Sequence, residues 1–165
     1  IPEDRQRMGL VTDFKAYENL IFGYHDQIPY SKSSIMNENK ILDYSKRVME
    51  EYDVRPRSPY LMTSNFSGGN QQKLILSREL NENPKVLLIG QPTRGVDIGA
   101  IEFIHQRLID MRDKGAAILL VSVELEEVLS LSDRIIVMFD GSIVGERVNK
   151  DVTDRELGLL MAGVA

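Results

Sequence analysis

From Lys85 onward the chain alternates short apolar runs with longer amphipathic ones, and this alternation restricts the fold more than any other feature of the sequence. Val86–Ile89 reads as a strand. Ile98–Arg112 reads as a helix with Ile101, Ile104, Leu108 and Met111 at helical spacing, and Ala116–Val121 as a second strand. Glu124–Leu131 follows as a helix and Arg134–Met138 as a third strand. Asp140-Gly141 is a strong two-residue hairpin signal leading into Ser142–Arg147. Thr153 with Glu156 predicts a capping box for a last helix. Strands and helices in this succession predict an α/β core whose parallel sheet is joined by right-handed crossovers. The unbroken apolar run Val86–Ile89 predicts a strand covered on both faces.

The first half reads differently. Residues 1–13 predict a short extended start with a polar loop over Glu3–Arg7, and residues 14–82 look helical with little strand pattern. Lys15–Phe22 leads into a loop with Gly23 and Pro29. A helix then starts at Asn37 and puts Ile41, Leu42, Val48, Met49 and Tyr52 along one side. Arg55–Pro59 breaks it, and a second long helix runs from Ser67-Gly68-Gly69 to about Leu80, ended by Asn81–Pro84. The predicted layout is an opening segment (1–13), a helical subdomain (14–82) and an α/β core segment (83–165).

Composition removes several function classes. A net charge of −5, from 20 basic and 25 acidic residues, speaks against a nucleic-acid footprint. The absence of cysteine excludes a disulfide framework or a thiolate metal site and fits a reducing compartment. The longest apolar run, Ala116 to Val121, is too short to span a bilayer. The chain opens at Ile1-Pro2-Glu3 with neither an initiator Met nor a signal-peptide pattern, which predicts a piece of a longer protein. His25 and His105 have no metal-ligand spacing. The pairs Glu50-Glu51 and Glu126-Glu127 read as solvated faces, since helical neighbours point roughly a hundred degrees apart.

The stretch carrying most chemistry is Asn65-Phe66-Ser67-Gly68-Gly69-Asn70-Gln71-Gln72-Lys73. A Ser followed by two glycines at a helix start exposes backbone N–H groups at the positive end of the helix dipole, a place suited to a phosphate. Glycine lets the backbone approach such a ligand without a Cβ in the way. An ordinary capped turn is the plainer reading of Ser-Gly-Gly alone; Asn70-Gln71-Gln72-Lys73 and the strand about fifteen residues later tip the balance.

Ser67-Gly68-Gly69-Asn70-Gln71-Gln72 resembles the signature motif of the ABC-transporter ATPases. Pro84–Thr93 resembles the Walker B strand that follows it, Gly95-Val96-Asp97 the D-loop, and Val121-Ser122-Val123-Glu124 the segment with the switch histidine. Ser132-Asp133-Arg134-Ile135 and Asp140-Gly141 continue the pattern. Ile1-Pro2-Glu3-Asp4-Arg5 is similar to the Q-loop segment of the second ATPase half in simple-sugar and nucleoside importers. The resemblance covers essentially the whole chain and implies part of a P-loop ABC ATPase domain. Gln91-Pro92-Thr93-Arg94-Gly95 and Gly99-Ala100-Ile101-Glu102 lean toward the nucleoside branch, with simple sugars next.

Departures from the pattern matter as much. No G-x-x-x-x-G-K-[ST] occurs, so the phosphate-cradling loop would lie upstream of Ile1 in an intact subunit. The magnesium-supporting Asp is replaced by Gly90 and the catalytic Glu by Gln91, which can orient a water but cannot take its proton. Val123 stands where an imidazole would meet the terminal phosphate, and Glu3 where Gln is usual; its carboxylate could still face magnesium. Gly90 as a tight strand-to-turn junction and Val123 as core packing are the plain alternatives. Losses at three positions of one apparatus instead predict a degenerate hydrolytic site.

The resemblance implies ATP and Mg2+ in the intact subunit. The expected partners are another nucleotide-binding half, membrane permease subunits docked on the helical subdomain and, indirectly, a solute-binding protein, at the cytoplasmic face of the membrane. Ser67, Gly68, Gly69 and Asn70 would contact nucleotide in the other half's site, with Asp97 at the shared interface. The chain alone is not expected to hydrolyse ATP. A non-transport ABC-type ATPase module acting in regulation or interaction is the alternative.

Overall fold

The computed structural model describes residues 1–150 and 152–164. They form two compact units, Ile1–Leu119 and Leu120–Ala165.

In the first unit, Asp4 converts the expected polar loop into a capped turn. Its carboxylate accepts from the Gln6 and Arg7 N–H groups at 3.2 and 3.0 Å, starting a short π-helical turn over Arg5–Gly9. Helix α1 (Ala16–Leu20) follows. Strands β1 (Ser31–Lys32) and β2 (Ile35–Met36) then make a small antiparallel hairpin. Ser33 and Ser34 both have positive φ, the geometry of a type I′ turn. Serine is not the residue that normally announces that turn, which explains why the sequence pattern suggests little strand here.

Helix α2 (Glu38–Glu51) begins at Asn37, whose side chain accepts from the Lys40 N–H. Ile41, Leu42, Val48, Met49 and, just beyond the helix, Tyr52 are buried as the spacing predicts. Helix α3 (Gly68–Asn81) buries Leu74, Ile75, Leu76 and Leu80. Strand β3 (Val86–Gly90) pairs with β4 (Ala117–Val121) after a crossover through helix α4 (Ile98–Asp113). On α4, Ile104, Leu108 and Met111 are buried, whereas Ile101 is half-buried.

The strand β3 departs from expectation. Leu87 and Ile89 are buried, but Val86 is 64% and Leu88 60% exposed. A strand is dry on both faces only when elements pack on both sides, and the residues present supply one. Leu119 and Val121 of β4 are likewise exposed.

Buried polar side chains fasten the opening segment to the helices. Asn19 of α1 accepts from the Val11 N–H and donates to the Val11 carbonyl and the Thr63 hydroxyl, all within 2.9 Å. Arg78 of α3 donates to the carbonyls of Gly9 at 2.9 Å and Asn19 at 3.3 Å and pairs with Glu79. Each group is buried, and each finds partners, as buried polar groups must.

Where α2, α3 and α4 meet, the Arg107 guanidinium lies 4.6 Å from the Tyr52 ring centroid and 5.1 Å from that of Phe103, while Lys73 lies 4.8 Å from Phe103. Asp53 sits beside this joint with Arg55, Lys73 and Arg57 around it. The Arg55 hydrogen bond, aided by the three cationic charges, holds the Asp53 carboxyl below its ordinary range. A depressed pKa contributes stability above the unfolded value near 3.9 and loses it as pH falls through the folded value. Asp53→Asn is therefore expected to lower the melting temperature at pH 7 by about 3 °C at most, because the pairs are exposed. The difference from wild type should shrink toward pH 2 and in high salt. A loss unchanged by acid would mean that charge is not its source.

The second unit is built on a hairpin. Strand β5 (Arg134–Phe139) pairs antiparallel with β6 (Ser142–Val148) through Asp140 and Gly141, both at positive φ, with an irregularity between Val137 and Met138. The two-residue turn signal is realised. Among the described residues β5 bonds to β6, as the hairpin signal predicts, and the strand–helix–strand succession is realised by β3 and β4. A hairpin closes within its own few residues, whereas a parallel neighbour must be delivered by a crossover.

Helix α5 (Leu125–Leu131) precedes the hairpin and helix α6 (Asp154–Met161), capped by Thr153, follows it. Ile135, Val137, Leu157 and Leu160 form the core of this unit, with Leu125, Val128, Leu129 and Val144 packed against it. A Cβ on Gly145 would come within 2.8 Å of Leu160 Cδ1, so a larger residue there needs that side chain to shift. The Glu126-Glu127 pair is not uniformly solvated. Glu127 is only 3% exposed, because the rotation between helical neighbours turns one outward and the other in.

Candidate functional site

The helix start at Ser67 and the turn after β3 come together. Ser67 caps α3, its hydroxyl accepting from the Asn70 side-chain N–H at 2.9 Å and, more weakly, from the Asn70 backbone N–H at 3.5 Å. It is exposed. The backbone N–H groups of Gly68 and Gly69 precede the first intrahelical bond, so they lie at the positive end of a fourteen-residue helix. Asn70 is partly occupied elsewhere, its Oδ1 accepting from the Arg55 N–H at 2.6 Å.

The two glycines have a second cause. A Cβ on Gly68 would lie 2.6 Å from Arg5 Nη2 and 2.9 Å from the Gly95 carbonyl oxygen. On Gly69 it would lie 2.8 Å from the Asp97 carboxylate and 3.0 Å from the Ala100 Cβ. Both glycines therefore let the start of α3 seat against the Gly95–Asp97 turn, whatever else approaches them. Gly95 itself has positive φ, and Asp97 caps α4 by accepting from the Ala100 N–H at 2.9 Å.

Residues 1–6 run across the same place. Ile1 bonds to the end of β3 on both sides, its nitrogen donating to the Leu88 carbonyl at 2.6 Å and its carbonyl accepting from the Gly90 N–H at 3.0 Å. Glu3, a magnesium-facing candidate in the sequence, forms an ion pair with Arg94 instead. Gln6 donates to the Gln71 side chain, which in turn donates to the Thr63 carbonyl.

Gly90 is not a forced glycine. A Cβ there would sit 3.5 Å from the Glu3 nitrogen and 3.7 Å from the Glu3 Cβ, ordinary contact distances, and the backbone is not left-handed. A side chain is sterically allowed where none is present. Gln91 does adopt a left-handed backbone, at φ 48°, a strain of roughly 1–2 kcal/mol that proteins retain mostly where geometry serves a purpose. Val123 is 61% exposed, which removes the core-packing alternative for it. Gly90 and Gln91 belong to the first unit and Val123 to the second.

Among the described residues no group of His, Asp and Glu is placed to hold a metal ion. Of the two carboxylates at this corner, Glu3 pairs with Arg94 and Asp97 accepts from the Ala100 N–H. The arrangement suits an anion brought to the start of α3 from outside, bound by backbone N–H groups and a hydroxyl. Arg5 and Arg94, which organise this corner, were not singled out by the sequence pattern. Arg5 lies within the Ile1–Arg5 segment that carries the resemblance, but its partners are backbone carbonyls, which leave no trace in side-chain spacing.

No family model matches the chain. Curated relatives do. The chain is 47% identical over 163 residues to the guanosine import ATP-binding protein NupO of Bacillus subtilis strain 168, covering 99% of this chain and 32% of the relative. It is equally 47% identical over 163 residues to the nucleoside import ATP-binding protein NupA of Lactococcus lactis subsp. cremoris, again covering 99% and 32%. The xylose import ATP-binding protein XylG of Thermoanaerobacter pseudethanolicus is 38% identical over 146 residues, covering 88% and 28%. The chain thus spans about a third of the length of these relatives. Among solved structures, a dimeric ATP-binding cassette bound to ADP and phosphate matches with a TM-score of 0.69 and 24% identity, over 89% of this chain and 62% of that one. An ABC transporter ATP-binding subunit matches with a TM-score of 0.70 and 18% identity, over 93% and 64%. These structural likenesses concern the fold.

Proposed function

This chain belongs to the ABC-transporter ATPases of the nucleoside and sugar import type, and from that premise we propose that it supplies one face of a composite ATP site. In this reading Ser67, Gly68, Gly69 and Asn70 present the signature motif, and Gly95–Asp97 the D-loop, to nucleotide held by the phosphate loop of another nucleotide-binding half. The observation that carries it is the seating of the α3 start on the Gly95–Asp97 turn, with Ser67 exposed. The chain's own site, with Gly90, Gln91 and Val123 in place of the three expected polar side chains, does not hydrolyse. Hydrolysis is left to the partner half.

The residues fit the terminal phosphate of ATP as an anion at a helix start, through backbone N–H groups and the Ser67 hydroxyl. In the reaction Ser67–Asn70 and Gly95–Asp97 bind and orient. Magnesium, when bound, neutralises phosphate charge, and its ligands would come from outside these residues.

The intact subunit drives solute uptake at the cytoplasmic face of the membrane, docked through residues 14–82 on permease subunits served by a solute-binding protein. No helix among the described residues is long and apolar enough to cross a membrane itself. Nucleosides come first as the solute class and simple sugars next, because the relatives named for guanosine and nucleoside import are 47% identical and the xylose one 38%.

If this is one face of a shared site, the 165-residue chain alone should bind ATP no tighter than about 1 mM, since a phosphate held by one helix start has few other contacts. Equilibrium dialysis with labelled ATP measures this directly. Micromolar binding by the chain alone would refute the composite reading.

A further inference from the structure

Resting on the composite-site reading, we infer that Arg5 is a positioning residue that fastens the D-loop turn to the start of the signature helix, so that both move as one piece. Arg5 Nη1 donates to the Arg94 carbonyl at 2.6 Å and Nη2 to the Gly95 carbonyl at 3.3 Å. The same Nη2 occupies the space a Cβ on Gly68 would need. One guanidinium therefore touches the post-β3 turn through its two acceptors and the first residue of α3 through close packing.

Three further observations set Arg5 apart from an ordinary surface arginine. Its two acceptors are main-chain carbonyls, so it fixes the path of the backbone rather than balancing a charge. Its Nε is buried without a hydrogen bond, an arrangement kept at a cost and therefore in want of a reason. Its own backbone is held on both sides. Asp4 caps the turn that begins at Arg5, and Ile1 is bonded to Leu88 and Gly90 of β3. A second tie, Glu3 to Arg94, joins the same segment to the same turn.

The consequence is a mechanical link between two sites. Residues 1–5 lie against Gly90, in this half's own degenerate site, while Gly68 and Gly95–Asp97 face the site completed by the other half. Arg5 is the rigid connection between them. A planar fork with two parallel donors suits this; a lysine ammonium can serve one carbonyl well but offers no fixed second donor.

The test uses the full-length subunit assembled with its membrane partners, comparing wild type, Arg5→Ala, Arg5→Lys and Ser67→Arg. ATP turnover is measured across ATP concentrations, with a melting curve for each variant. For Arg5→Ala we expect kcat to fall by about tenfold with KM within twofold and the melting temperature kept, and Arg5→Lys to recover part of the loss. Wild-type kcat in Arg5→Ala, with Ser67→Arg inactive, overturns the role of Arg5 and leaves the composite site standing. Persistent turnover in Ser67→Arg overturns the composite reading and this inference with it. A proportional loss of melting temperature and activity, unrelieved in Arg5→Lys, would assign Arg5 a folding role and also overturn the inference. Should Arg5→Ala not fold, Arg5→Lys decides: reduced kcat at unchanged KM and melting temperature supports the link, and wild-type kcat removes it.

Discussion

In the full-length subunit, Ser67→Arg is expected to reduce ATP turnover by at least about 100-fold while leaving nucleotide binding in place. Ser67 is exposed, so a long side chain can be accommodated without disturbing the core. What it disturbs is the helix start. The hydroxyl that accepts from Asn70 is lost, at a cost of about 1 kcal/mol, and a cation stands where the dipole favours an anion. The melting temperature should move by only a few degrees. Nucleotide would still be held by the phosphate loop of the other half, which this substitution does not touch. Separating turnover from binding is therefore the informative measurement. Unchanged turnover would mean that hydrolysis proceeds without residues 67–69 and would end the assignment of this helix start to a live site.

Helical faces were legible in the sequence because periodicity reports burial directly. Ile41, Leu42, Val48 and Met49 recur at spacings that only a helix aligns, and they are buried together on α2. The strand β3 is legible as a strand but not in its surroundings, since a uniform apolar run says what a strand tolerates, not what the residues present place on each face. Val86 and Leu88 remain exposed. The β1–β2 hairpin is not legible because Ser33 and Ser34 carry its left-handed turn in place of glycine or asparagine.

At the site, the residue types at the α3 start could be read but not their full cause. Gly68 and Gly69 were expected to clear space for a ligand; they equally clear space for Arg5, the Gly95 carbonyl, Asp97 and Ala100. Nothing in the spacing of Glu3 and Arg94 announces an ion pair across 91 residues. Main-chain acceptors such as those of Arg5 are common to every residue and are visible only once the chain is folded. Local chemistry was therefore readable, and long-range partnership was not.

The second large effect is a gain. Gly90→Asp, Gln91→Glu and Val123→His, made together in the full-length subunit, are expected to create hydrolysis that survives Ser67→Arg. On the proposed reading this half's own site lacks polar groups, and each of the three positions can take one. A Cβ at position 90 meets Glu3 only at ordinary contact distances. Glu and Gln share the backbone cost at position 91, so the left-handed φ there does not favour the amide over the acid. Position 123 is exposed within its own unit, so an imidazole there displaces no core side chain. The obstacle is electrostatic, because a new carboxylate at position 90 lies beside Glu3. Arg94, already paired with Glu3, offsets part of that repulsion. In the Ser67→Arg background the partner-side site is silent, so turnover regained by the triple substitution comes from the rebuilt one, by about tenfold or more over Ser67→Arg alone. Adding Glu3→Gln should raise it further by removing the facing charge. If the combined variant folds, binds ATP and stays inactive, the loss of function in this half lies outside positions 90, 91 and 123.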